Sequence, residues 1–291
     1  MKNKTAAETE PFELPTFEIE DTTLPIKARR WKCCLVLSDA HIPYHDVAVL
    51  NLMYDFAKVL QPEIVVLAGD WADCFAISPF LRAPEREQRL SDEIRIVRAN
   101  LHFLRRVVPD ARIIYIDGNH EHRFRRYIIQ NADKLADLEI GGKKLTFENF
   151  LGIEDFGIEH IPTTPGPSFI DTFWQLEDEG TIYDLLIGHF KRYSSHAGYA
   201  AKNLIDDYGV SLIQAHTHCF GRHNRNLAGG AVCGWENGCL CDLNPDWTRA
   251  KHWCHAFAVV WFEHPGRFFQ VEDIMIVNGQ FRYGGELWRV P

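Results

Sequence analysis

Seven residues of metal-ligand type recur where apolar runs of the chain give out. They are Asp39 and His41 in Asp39-Ala40-His41, Asp70 in Gly69-Asp70-Trp71-Ala72-Asp73, Asn119 in Gly118-Asn119-His120-Glu121, His189 in Gly188-His189, and the pair in His216-Thr217-His218. Carboxylate, imidazole and amide oxygen together suit Mn, Fe or Zn and disfavour a Cys-rich structural site. Seven donors are too many for one ion. Two ions roughly 3.5–4 Å apart, sharing one bridging carboxylate, need about this number. Each donor also has a plain reading: Asp39 as a helix cap, Gly69-Asp70 as an ordinary turn. What sets them apart is their joint placement at strand ends.

The elements that must position them are legible as runs. Residues 31–39, 63–70 and 111–120 read as buried strands that end in polar loops, and 47–60, 85–108 and 121–138 carry helical spacing. Alternation of strand and helix implies βαβ units and a mainly parallel sheet, whose ligands sit at the carboxyl ends of the strands. Asp39, Asp70 and Asn119 fall at such ends. A glycine before Asp70, Asn119 and His189 lets the chain turn sharply and approach the site closely. The helix after Asn119-His120 offers free N–H groups to a bound phosphate. Further on, 181–190 reads as a strand ending in His189, 196–208 as a helix, 210–220 as a strand, and 229–278 as strands of a second sheet. Residues 1–30, rich in Glu, Thr and Pro, read as an extended or flexible arm. Residues 31–291 read as one domain, with a loop-rich insertion over 139–181 in the position of a cap.

The order D-x-H, G-D-x-x-D, G-N-H-E, G-H, H-x-H across residues 39–218 resembles the calcineurin-like metallophosphoesterase superfamily, especially its small stand-alone members in bacteria and their viruses. Gly-Asp alone is a weak signal; five elements in this order are specific. The resemblance implies an α/β fold, a four-layer αββα sandwich of two mixed sheets flanked by helices. It implies that Asp39, His41 and His218 hold one metal, that Asn119, His189 and His216 hold the other, and that Asp70 bridges them. It also implies that His120 is no ligand but the acid that protonates the departing oxygen, with Asp73 orienting its ring. A hydroxide held between the metals would attack phosphorus in line. The cofactors implied are two divalent transition ions, manganese first, with Fe, Zn or Ni as alternatives.

Bulk properties bound the partners. A net charge of −9 argues against nucleic acid binding over the whole surface. It leaves room for a local basic rim: Arg123 and Arg125 after the G-N-H-E loop, Lys191 after His189, and Arg222 after His218 are the candidate substrate-binding residues. Glu121 reads as a first-turn helix residue complementing the dipole. No apolar run reaches the roughly 18 residues of a membrane span. The eight cysteines do not form the framework of a small secreted fold. The reading is therefore a cytoplasmic protein with reduced thiols and no membrane partner. Cys233, Cys239, Cys241, His252, Cys254 and His255 raise the question of a zinc site, but their spacing does not match the common finger patterns.

The ester class turns on one position. The protein Ser/Thr phosphatases of this superfamily carry an Arg directly after the last Asp of G-D-x-x-D, where this chain has Cys74. A monoester carries one more negative charge than a diester, so the missing Arg weighs most against monoesters. Arg82 or Arg123 could substitute from another direction. The sequence therefore points to a phosphodiesterase, acting on nucleic acid, a cyclic nucleotide or a small diester. A phosphomonoesterase such as a protein phosphatase ranks second, and a non-catalytic binding module on the same fold third.

Overall fold

Period-two alternation on the strands divides the core in two. On the first strand, Cys34 and Val36 face one way, while Cys33, Leu35 and Leu37 face the other. The structure, a computed structural model, describes residues 30–79, 89–136, 138–164, 166–245 and 252–290. All but the last residue of the arm read over 1–30 and the first residues of the helix expected from 85 lie outside them, as does Arg82.

In chain order the strands are β1 (Arg30–Leu37), β2 (Ile64–Leu67), β3 (Arg112–Ile116), β4 (Glu139–Ile140), β5 (Lys143–Lys144), β6 (Ile158–Ile161), β7 (Thr172–Asp178), β8 (Thr181–His189), β9 (Ser211–Gln214), β10 (Phe220–Leu227), β11 (Gly230–Asn237), β12 (Ala256–His264), β13 (Phe269–Met275), β14 (Gln280–Tyr283) and β15 (Glu286–Arg289). The helices are α1 (Val47–Leu60), α2 (Leu90–Val107), α3 (His122–Asn131), α4 (Phe147–Leu151) and α5 (Tyr199–Tyr208). One sheet has the order β13-β12-β1-β2-β3-β6, the other β10-β11-β9-β8-β7. Strands β1, β2, β3 and β6 run parallel, as do β8, β9 and β11, while β12 and β13 pair antiparallel at one edge.

The inner faces of the two sheets meet through Cys34, Val36, Val66, Ile114 and Val260 on one side and Tyr183, Leu185, Ile187 and Ile213 on the other. The outer face of the first sheet packs Leu35, Leu37, Val65, Leu67 and Ile113 against Leu50, Met53 and Phe56 of α1 and Val97 and Leu101 of α2. The outer face of the second packs Leu186 and Leu212 against Leu204 of α5. Helix, sheet, sheet and helix thus form the four layers that the family resemblance implies. Each fully buried aliphatic side chain contributes about 1.5–3 kcal/mol.

Two expectations need correction. Of the strands read into a second sheet over 229–278, only β11 belongs there, because β12 and β13 complete the first sheet beside β1. The stretch 139–181, read as a loop-rich insertion, contributes β6 and β7, which form an edge of each sheet. Gly and Pro between short apolar runs hid both.

The β7–β8 pairing depends on Gly188. A Cβ there would meet the Thr172 carbonyl oxygen and the Phe173 Cα, the latter at 2.6 Å. Gly188→Ala should lower stability by about 1–3 kcal/mol, the usual effect of overpacking, read as a shift of the urea midpoint. An unchanged midpoint would contradict this packing.

Candidate metal centre

All five ligand loops leave the carboxyl ends of parallel strands: Asp39 and His41 follow β1, Asp70 follows β2, Asn119 follows β3, His189 ends β8, and His216 and His218 follow β9. The backbone there is strained. Asp39, His41, Asp70, His216 and His218 have φ of 51°, 49°, 49°, 84° and 56°. A left-handed conformation costs a non-glycine residue roughly 1–2 kcal/mol, and such strain gathers at functional sites. Hydrogen bonds hold it in place. Asp39 and His41 donate their N–H groups to the Gly69 and Asp70 carbonyls at 3.1 and 2.9 Å, and Leu240 donates to the Asp39 carbonyl at 3.1 Å. The His216 N–H donates to the Asp39 carboxylate at 3.1 Å. Gly118 admits Asp70, whose side chain and N–H would collide with any Cβ there.

The donors form two groups. His41 Nε2 lies 3.1 Å from His218 Nε2, which lies 3.2 Å from Asp39 Oδ1. His189 Nε2 lies 2.9 Å from Asn119 Oδ1, 3.1 Å from His216 Nδ1 and 3.4 Å from Asp70 Oδ2. Asp70 Oδ2 also lies 3.8 Å from His41 Nε2, so its carboxylate stands between the groups. Ligands bonded at about 2.0–2.2 Å to a tetrahedral or octahedral ion are about 2.8–3.6 Å apart, and most of these separations fall in that range.

Hydrogen bonds at the far ring nitrogens set the direction of the lone pairs. His189 Nδ1 faces the Ala68 carbonyl at 3.3 Å and donates to it, so that in the neutral ring the lone pair is on Nε2. His41 Nδ1 faces Asp73 Oδ1 at 2.9 Å, and His218 Nδ1 faces Cys241 Sγ at 3.8 Å. Imidazole lone pairs, an amide oxygen and carboxylates therefore converge in a buried space, an arrangement that suits cations. Electrostatics follow the same division. Burial opposes charge on His41, but the Asp73 hydrogen bond and Asp70 push its pKa up to about 9. Burial and neighbouring His189 push His216 down to about 4. Burial works against the Asp70 carboxylate, yet His120, His189 and His41 hold it well below the usual range.

His120 and Asp73 are brought together as well. His120 Nδ1 lies 3.0 Å from Asp73 Oδ1 and 2.9 Å from the Asp73 carbonyl. Asp73 thus positions two imidazoles, those of His120 and His41, and the sequence suggested only the first. Arg123 donates to the Asp73 carbonyl and lies 2.9 Å from His120 Nε2. The rest of the basic rim is not assembled at the centre. Arg222 lies 3.6 Å from Asp273, its neighbour Arg225 pairs with Asp206, and Arg192 binds Asp207 at 2.8 Å. Lys191 and Arg125 are exposed.

Sequence reading misjudged Glu121. Its buried carboxylate accepts from the N–H groups of Asp70, Ala72 and Gly118 at 3.0, 2.9 and 2.8 Å, and from the Tyr115 hydroxyl at 2.8 Å. It ties the β2 and β3 loops together instead of serving the helix dipole. Burial, then Asp70 and Asp117, push its carboxyl up to about 8; the four donors favour the anion. The six-residue Cys/His set is not one site. Cys239 and Cys241 gather with His218, whereas Cys233 turns to Asn224 and Cys254 to the His252 carbonyl.

A family model described as calcineurin-like phosphoesterase matches residues 34–220, which span every donor loop. The chain belongs to that family. Two similar proteins are the gene 54 proteins of Mycobacterium phages D29 and L5. They are 25% and 27% identical over 272 and 271 residues, 89% of this chain and 99% of each relative. Among solved structures, Vps29 of Chaetomium thermophilum with a cyclic peptide aligns over 90% of this chain and 98% of its own, at TM-score 0.43 and 11% identity. Wild-type Vps29 of Entamoeba histolytica complexed with Zn2+ aligns over 86% and 96%, at 0.42 and 12%.

Membership in the calcineurin-like family accounts for the donor order, and the loop geometry suggests how metal retention is tuned. Asp70→Asn should weaken metal binding at both donor groups, because its carboxylate faces each of them. Glu121→Gln keeps the shape but turns an amide N–H2 against backbone N–H donors; it should lower metal affinity about 10–100-fold, as loss of a ligand-orienting contact does. Elemental analysis after dialysis against graded Mn2+ reads both effects. Native-like retention in both variants would contradict the assignment.

Proposed function

We propose that this chain is a phosphoester hydrolase dependent on two metal ions, with a preference for diesters. The observation that carries the preference is the engagement of Arg123. Cys74 is buried where an arginine would clamp a monoester dianion, and the guanidinium that does reach the centre already serves the Asp73 carbonyl and His120. A diester carries one negative charge fewer and needs that clamp less.

Asp39, His41 and His218 are the proposed ligands of one ion, Asn119, His189 and His216 of the other, with Asp70 shared; manganese is the first choice, and Fe, Zn or Ni fit the same donors. Bound divalent ions would neutralise phosphate charge and make a water nucleophile available near neutral pH. His120 is the proposed proton donor to the leaving oxygen, held in orientation by Asp73. Arg123 and a protonated His120 Nε2 cannot both donate across the 2.9 Å between them. A leaving oxygen that takes the His120 proton resolves that conflict, with Arg123 kept on the Asp73 carbonyl. Among the described residues no helix is long and apolar enough to cross a membrane. Eight free cysteines support a reducing compartment, the cytoplasm in our reading.

With Mn2+ present, kcat/KM for bis-p-nitrophenyl phosphate should exceed that for p-nitrophenyl phosphate at least tenfold; the reverse order would favour a monoesterase. His120→Ala should lose on the order of 10²–10⁴-fold against a nucleoside diester with an alkoxide leaving group. It should lose much less against the nitrophenyl diester, whose leaving group needs no proton. Equal losses at matched metal content would reassign His120 to phosphate binding.

A further inference from the structure

A cavity of about 160 Å³ lies along one face of α3, lined by Arg123, Arg126, Tyr127, Gln130 and Asn131 and by the segment Ile77–Pro79. The helical residues are spaced by three and four, so their side chains stand in one row. Arg123 belongs to both places: its guanidinium lies 2.9 Å from His120 Nε2, and the residue is one of those that line the cavity. Arg123 thereby links the cavity to His120, the proposed proton donor. From Arg123 to Gln130 the row runs about 10 Å at 1.5 Å per residue.

The size and chemistry of the lining select a ligand. A dry cavity of about 150 Å³ holds a single aromatic ring, and whole-ligand pockets are larger, from about 300 Å³. This cavity therefore takes one ring-sized group and not a whole substrate. Tyr127 is 43% exposed and brings an aromatic ring to a lining that also holds the apolar side chains of Ile77 and Pro79. Gln130 brings an amide that can donate and accept at a base edge. Asn131 Nδ2 donates to the Tyr127 carbonyl, which fixes that amide and leaves its oxygen as an acceptor. Among the described residues, two arginines and no carboxylate line the cavity, on a chain whose net charge is −9. A cation-rich lining on an acidic protein favours an anion, and a stacking face with amides favours a planar heterocycle.

We propose that this cavity is the subsite for the base of a nucleotide, so that the diester cleaved is a nucleotide diester. The inference rests on the phosphodiesterase reading. Water adds across one P–O bond; the nucleoside leaves as an alcohol that takes its proton from His120, and the other half remains a phosphate monoester. Tyr127 stacks on the base and Arg126 faces its phosphate side. Base–aromatic stacking is sequence-tolerant, so bases of several kinds are accommodated.

The test compares adenosine 5′-monophosphate with ribose 5-phosphate, which lacks the base, by calorimetric titration of the Mn2+-loaded protein. The nucleotide should bind on the order of tenfold more tightly, the worth of one stacked base. Tyr127→Ala should erase that difference, and Tyr127→Phe, which keeps the ring face, should preserve it. Equal binding of the two ligands to the unmodified protein, or a difference that survives Tyr127→Ala, would overturn the subsite. Hydrolysis of the chromogenic diester, measured on the same preparation, reports separately on the phosphodiesterase reading.

Discussion

Lone pairs of like polarity repel when they face one another out of water, and the centre is built from such lone pairs. The Ala68 carbonyl, Asp73 and Cys241 take the Nδ1 sides of His189, His41 and His218. The Nε2 sides of all three are thereby turned inward, onto the carboxylates of Asp39 and Asp70 and the Asn119 amide oxygen. A buried polar group without a compensating partner costs several kcal/mol. The arrangement is stable only if positive charge sits among the donors, as protons or as metal. Strand order, loop strain and the packing of the two sheets all serve to hold these atoms at that spacing.

The loops do not hold themselves. Buried glutamates recur as staples: Glu121 joins the β2 and β3 loops, Glu93 accepts from the N–H groups of Phe75 and Ala76, and Glu236 accepts from those of Ala200 and Ala201 at the start of α5. Each satisfies backbone donors that the irregular loops leave unpaired, which a buried segment requires. Left-handed residues at the ligand positions are then the local strain that this scaffold sustains. A carboxylate serves here because one side chain accepts from several N–H groups at once.

Much of this was legible in the sequence, for a physical reason. A strand that is apolar on both faces and then meets a carboxylate or imidazole must be a buried strand delivering a polar group to its end. That pattern placed Asp39, Asp70, Asn119, His189 and His216. Period-two alternation also reported correctly that the 229–278 region is strand-rich, but it carries no label for which sheet a strand joins, so β12 and β13 were misplaced. The partner of a charged side chain is equally invisible. Arg222 and Arg225 follow a ligand loop in sequence, yet β10 turns them toward Asp273 and Asp206. Glu121 looked like a helix-dipole residue because its reversal onto the β2 loop depends on a neighbour about 50 positions away.

We propose that one buried set of donors holds two ions joined through Asp70. Electron paramagnetic resonance of protein loaded with two equivalents of Mn2+ addresses it directly. Two Mn2+ ions sharing a carboxylate are exchange-coupled, so the spectrum should show closely spaced hyperfine lines from the pair, and Asp70→Ala should collapse it to a mononuclear signal. A simple six-line mononuclear spectrum from the unmodified protein at full loading would contradict the account.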